Sequence, residues 1–135
     1  MQGEEASISL ARDPGEIARL GEWVAAFCER SRLGGKAEFE LNLALEELVT
    51  NAIGHGQSSR VDVTLRVDGA ELAAEIVDDG TAFDPTAAAP PNLAGDIVER
   101  KIGGLGIHLV RHLVRDLGFE RRGDRNFVSF RMTTG

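Results

Sequence analysis

The sequence predicts an α+β fold, a two-layer sandwich in which a mixed, mostly antiparallel sheet carries its helices on one face. Three observations predict it. Two segments with helical spacing stand near the start, two pairs of alternating strands end in hairpin turns, and one late helical segment lies between the pairs. The order lacks the βαβ alternation of a dinucleotide-binding fold, so the glycines ahead of the late helix are not a dinucleotide fingerprint. The chain of 135 residues reads as one domain, 1–135, long enough to bury a core without disulfide or metal staples.

Ser7 to Ala11 alternates, with Ile8 and Leu10 on one side, as a short first strand. Asp13-Pro14 then starts a helix, with the proline near the first turn, where its missing amide hydrogen costs little. Ile17, Leu20, Val24 and Phe27 keep helical spacing, and the expected end is near Gly34-Gly35. A second helix is expected from Lys36 to Ile53, with Leu41, Leu45, Leu48 and Ala52 as its apolar stripe and Gly54 and Gly56 as its stop. Val61, Val63, Leu65 and Val67 alternate, Asp68-Gly69 reads as a two-residue turn, and Leu72, Ala74 and Ile76 resume the alternation.

From Gly80 to Gly103 no period survives, and three of the four prolines fall there. So long a loop inside a compact domain is usually functional, often a lid. A third helix is expected from Leu105 to Leu117, ended by Gly118, with Leu109, Val110, Leu113, Val114 and Leu117 inward. Phe119 to Arg122, a turn at Gly123-Asp124, and Phe127 to Met132 form a last hairpin.

A net charge of −7 argues against a nucleic-acid surface, because phosphate contacts need clustered Lys and Arg. The single Cys28 cannot form an internal disulfide and suits a reducing compartment. The start has neither a basic region nor an apolar core of a secretory signal, and no run has the apolar length of a membrane span. The expectation is a cytoplasmic protein with no membrane partner.

Three blocks carry the chemistry. In LALEELVTNAIGHG, Glu47 and Asn51 project from one helix face beside the apolar stripe, an acid placed to take a proton and an amide oxygen placed to hold a metal. Glu46 falls on the far side and is expected to be solvated. Asp78 shares its side of a strand with Leu72, Ala74 and Ile76, so it leans toward the core, where a carboxylate is costly without a donor. An adenine amino group is such a donor, and Gly80 would let backbone approach the base. Asp79, on the opposite face, fits a turn-capping role better. In Gly103-Gly104-Leu105-Gly106 a loop becomes a helix, where backbone amides attract phosphate and missing side chains let it come close. A lid hinge is the plain reading of the same glycines, and both roles are compatible. The run does not match a P-loop.

Other residues invite weaker readings. His108 and His112 are four apart on the third helix and could be a metal pair, but without an obvious third ligand a solvated or packing role is preferred. His55 after Gly54 reads as a helix C-cap. Neither Cys28 nor any serine lies in a nucleophile motif, which leaves covalent hydrolase chemistry unsupported.

In order and spacing the three blocks resemble the N, G1 and G2 boxes of the GHKL ATPases, the superfamily of gyrase-type ATPases and histidine kinases. The chain length and the run DDGTAFDP are similar to the anti-sigma factor serine/threonine kinases of bacterial partner switching. That resemblance covers nearly the whole chain. It implies a Bergerat ATP-binding fold, ATP and Mg2+, and phosphorylation of a serine or threonine on a small anti-sigma-factor antagonist, with a sigma factor as a second partner.

Position by position, the resemblance makes Glu47 the catalytic base and Asn51 the magnesium ligand. It makes Asp78 and Gly80 the adenine-side residues, the run Gly104, Leu105 and Gly106 the phosphate side, and Phe83 to Gly103 the lid. Ala82 departs from the pattern, which often has a second glycine there, but alanine is small enough for nucleotide to fit. Resemblance and the short first strand, an edge open to pairing, also raise a homodimer. A histidine kinase is expected to carry a helical hairpin ahead of this domain, and the thirty-five or so residues before the second helix are too few for it. A module that binds partners without transferring phosphate is the alternative of a different class. The presence of both Glu47 and Asn51 argues against it.

Overall fold

A computed structural model describes residues 4–54, 57–82, 84 and 105–134. The elements run β1 (Glu4–Ala11), α1 (Glu16–Arg30), α2 (Gly35–Gly54), β2 (Arg60–Asp68), β3 (Glu71–Asp78), α3 (Leu105–Leu113), β4 (Arg115–Arg122) and β5 (Arg125–Thr133). The five strands form one sheet in the order β1-β2-β3-β5-β4. All four pairings are antiparallel, so the expected α+β sandwich stands and its sheet is wholly antiparallel rather than mixed among the described residues.

Strand alternation separates the two faces. Val61, Val63, Leu65 and Val67 of β2 are buried, as are Leu72, Ala74 and Ile76 of β3 and Val128, Phe130 and Met132 of β5. The residues between them carry the ion pairs of an open face: Arg131 and Arg115 both reach Glu71, and Arg66 reaches Glu5. Against the apolar face α1 lays Leu20, Val24, Phe27 and Cys28, and α2 lays Leu41, Ala44, Leu45, Leu48 and Val49. Burial of these side chains, at roughly 25 cal/mol per Å² of apolar surface, is the main force holding the helices to the sheet. Burial also pushes the Cys28 thiol up to about 11, so it stays protonated and unreactive near neutral pH.

Several boundaries differ from expectation, each for a local reason. β1 begins at Glu4 rather than Ser7, because its backbone pairs with β2 out to Glu4↔Val67. Helix α1 starts at Glu16, since Asp13 and Pro14 form a turn: the Gly15 amide donates to Asp13 Oδ1 at 2.9 Å and the Glu16 amide to Asp13 O at 2.9 Å. It ends at Arg30, before the expected glycines. There Arg32 takes a left-handed φ of 58°, and the Leu33 amide closes on Cys28 O at 2.9 Å. The first hairpin turns at Gly69-Ala70, one residue later than Asp68-Gly69, because Asp68 still pairs with Glu71. Gly69 has φ +65°, which the turn needs.

The largest correction concerns α3, which stops at Leu113 instead of Leu117. After the Val114 amide makes its bond to Val110 O at 3.1 Å, Arg115 pairs with Arg131 of β5. A register shift between Arg115 and Gly118 and a left-handed Asp116 (φ 54°) absorb the change of direction. Val114 and Leu117 satisfy a helical period in the sequence, yet the backbone there completes the sheet edge instead.

Candidate nucleotide site

The site is assembled from the polar end of α2, the end of β3 and the first turn of α3. On α2 the phase read from the sequence holds: Glu46 is exposed and Glu47 half-buried. Asn51, one turn further, is 6% exposed. Its Nδ2 finds no hydrogen-bond partner among the described residues, and a buried amide left without one is costly unless a ligand supplies it. Because the amide's nitrogen and oxygen exchange by rotation about its last bond, that orphaned position can present an oxygen as readily as a nitrogen. An oxygen there suits a magnesium ion, which takes oxygen ligands and is typically held by one or two protein groups with substrate phosphates.

Glu47 reaches across to α3. A Cβ built on Gly106 would lie 2.1 Å from Glu47 Oε2, so the carboxylate occupies the space that a side chain at Gly106 would fill. Partial burial, followed by the neighbouring Glu46 charge, holds the Glu47 carboxyl above the usual range. The structure therefore brings Glu47 and Gly106 together directly. Leu105 opens α3. Gly103 and Gly104, the expected lid from 85 onward, Phe83 and His55 lie outside the described residues.

Asp78 ends β3 and is 6% exposed. Three donors converge on its Oδ1: the Gly80 amide at 2.9 Å, Asn126 Nδ2 at 2.9 Å and the Ser58 hydroxyl at 2.7 Å. The Ser58 hydroxyl also lies 2.8 Å from Ala52 O, so its one proton is shared between two acceptors. With the Ser58 amide on Ala52 O at 3.0 Å, this serine ties the last turn of α2, next to Asn51, to the Asp78 carboxylate. The three contacts fix the carboxylate plane, and no donor among the described residues is assigned to Oδ2.

The turn after Asp78 is clamped from the last hairpin. Asn126 Nδ2 reaches Gly80 O at 3.3 Å and Thr81 O at 3.0 Å, while Arg121 donates to Gly80 O at 2.7 Å and to Asn126 Oδ1 at 2.9 Å. Asp79 points the other way. It accepts from the Ser59 hydroxyl and from the Ser59 and Arg60 amides at 2.8 and 3.2 Å, which caps the start of β2 and lowers its pKa.

Ser58, Arg121 and Asn126 were not found from the sequence. Asn126 had a signal: it shares the inward phase of β5 with Val128, Phe130 and Met132, where a polar side chain needs a buried partner. It stands opposite Asp78 in register. Ser58 and Arg121 had none, since a serine before a strand and an arginine near a hairpin are commonplace.

A family model described as the histidine kinase-like ATPase domain matches residues 10–132. Among curated proteins the chain is similar to the serine/threonine-protein kinase BtrW of Bordetella bronchiseptica, 32% identical over 111 residues, 79% of this chain and 78% of that one. It is also similar to the serine-protein kinase RsbW of Listeria innocua, 24% identical over 123 residues, 84% of this chain and 78% of the relative. Among solved structures, the RsbU and RsbW domains of a Mycobacterium tuberculosis protein superpose with a TM-score of 0.68 at 12% identity, covering 95% of this chain and 32% of that chain. That structural likeness is one of fold.

Proposed function

The chain belongs to the histidine kinase-like ATPase domain family, and from that premise we propose that it is an ATP-dependent protein serine/threonine kinase acting as an anti-sigma factor in partner switching. Its substrate is then a serine or threonine hydroxyl on a small anti-sigma-factor antagonist, and a sigma factor is its second partner. The observation that carries the reading is Glu47: a half-buried carboxylate seated against Gly106 at the first turn of α3, one helical turn from the orphaned amide of Asn51.

In this reading Asp78 Oδ2 accepts from the adenine amino group, with Oδ1 already held by protein donors. Gly80 leaves room for the base, and Gly104, Leu105 and Gly106 stand on the phosphate side. Glu47 takes the proton of the attacking hydroxyl as that oxygen bonds the γ-phosphorus and the bond to the β-phosphate breaks, releasing ADP. A pKa above the ordinary carboxylate range makes it a stronger proton acceptor once ionised. Magnesium, which Asn51 would hold, supplies neutralisation and orientation of the phosphates.

The test is transfer of the γ-phosphate of ATP to a purified antagonist domain, read by mass spectrometry of the acceptor peptide. The proposal expects one phosphorylated serine or threonine. Tight association with the antagonist but no phosphorylated residue would replace it with a binding module that transfers nothing.

A further inference from the structure

His108 and His112 occupy successive turns of α3, and neither takes part in the nucleotide site described above. Their Nε2 atoms lie 3.2 Å apart. The rings meet edge-on, with centroids 4.6 Å apart and planes at 78°. His112 is exposed and His108 half-buried, so the paired nitrogens sit at the solvent boundary.

Two ring nitrogens this close can share one hydrogen, or can direct both lone pairs at one cation. Zinc–nitrogen bonds of about 2.0–2.1 Å at a tetrahedral angle set their nitrogens roughly 3.3–3.4 Å apart, and at a right angle roughly 2.8–3.0 Å. The observed separation falls between those two geometries. The sequence alone favours a packing or solvated role, because it offers no obvious third ligand; the close approach of the two nitrogens is what the sequence does not contain.

We propose that His108 and His112 form a two-imidazole chelate for a borderline transition-metal dication of the zinc and nickel class on the outer face of α3. Among the described residues no third His, Cys, Asp or Glu completes the set, and the proposed chelate consists of the two imidazoles alone. Magnesium is excluded from this site by its preference for oxygen ligands, which makes it chemically distinct from the Asn51 position. A cation held here joins two turns of a nine-residue helix whose first turn abuts Glu47, and so stiffens the element that seats that carboxylate. The inference does not depend on the kinase reading.

The test is calorimetric titration of the untagged, chelator-stripped chain with zinc chloride, repeated with nickel chloride. One saturable site per chain is expected. His108→Ala and His112→Ala should each weaken it by about tenfold or more. His112→Gln keeps a hydrogen-bonding side chain but removes the second imidazole, and it should lose binding equally. His55→Ala, the remaining histidine, should bind as the parent does. No saturable uptake, or parental binding by His112→Gln, would overturn the proposal.

Discussion

Asp78 and Asn126 are polar residues placed in the apolar phase of two neighbouring strands, opposite each other in register. Period-2 alternation was enough to predict that Asp78 leans inward. It could not predict that three protein donors would meet one of its oxygens, because Ser58 and Asn126 arrive from 20 and 48 residues away. Asp78→Asn should therefore weaken ATP binding by about 1.5–3 kcal/mol, since it removes the charge and turns one acceptor into a donor. Isothermal calorimetry on the folded variant checks this; unaltered affinity would take Asp78 out of the site. Gly106 is the second residue whose role comes from proximity. Its missing side chain makes room for the Glu47 carboxylate, the far end of a flexible side chain that a methyl group would displace. Gly106→Ala is expected to keep the fold while slowing phosphate transfer at least about tenfold, through loss of the positioned base, and to weaken ATP binding by less than it slows transfer. Parallel binding and transfer assays separate the two, and unaltered transfer would take the contact with Glu47 out of the chemistry.

Elements were more legible in kind than in extent. The 3.6-residue stripe of α2 fixes both its existence and its rotation, which is why the sequence alone tells Glu46 and Glu47 apart. The C-terminal ends of α1 and α3 were not legible, because the chain leaves them through left-handed residues that are not glycine, Arg32 and Asp116. A sequence gives no warning of those. At α3 the apolar positions Val114 and Leu117 keep a helical spacing, and pairing of the chain with β5 overrides it. The β4–β5 hairpin has a task beyond closing the sheet, for Arg121 and Asn126 hold the backbone of the turn after Asp78. Asn126→Ala should destabilise the protein by about 1.5–3 kcal/mol, as loss of a buried hydrogen bond to a charged group does, and lower ATP affinity with it. Denaturant unfolding with and without nucleotide measures both; a stable variant with weakened ATP binding would mean that Asn126 only orients Asp78.

For the molecule as a whole, one apolar sheet face beneath the helices accounts for the architecture, and both features were readable from alternation and helical spacing. The loop toward the glycines lacked any period to read. At the opposite edge from β4, β1 has one neighbour in the sheet among the described residues, and we propose a homodimer through that edge. Light scattering at micromolar concentration should give twice the chain mass, and a monomer with and without nucleotide would refute it. The central claim is that Glu47 is the base of a phosphotransferase rather than a surface charge on a binding module. The measurement that addresses it most directly compares Glu47→Ala with Glu46→Ala for phosphate transfer from ATP to the antagonist, with ATP binding followed alongside. The account predicts that Glu47→Ala binds ATP but transfers about 10²–10⁴-fold more slowly, while exposed Glu46→Ala behaves as the parent. Full activity in Glu47→Ala would contradict it.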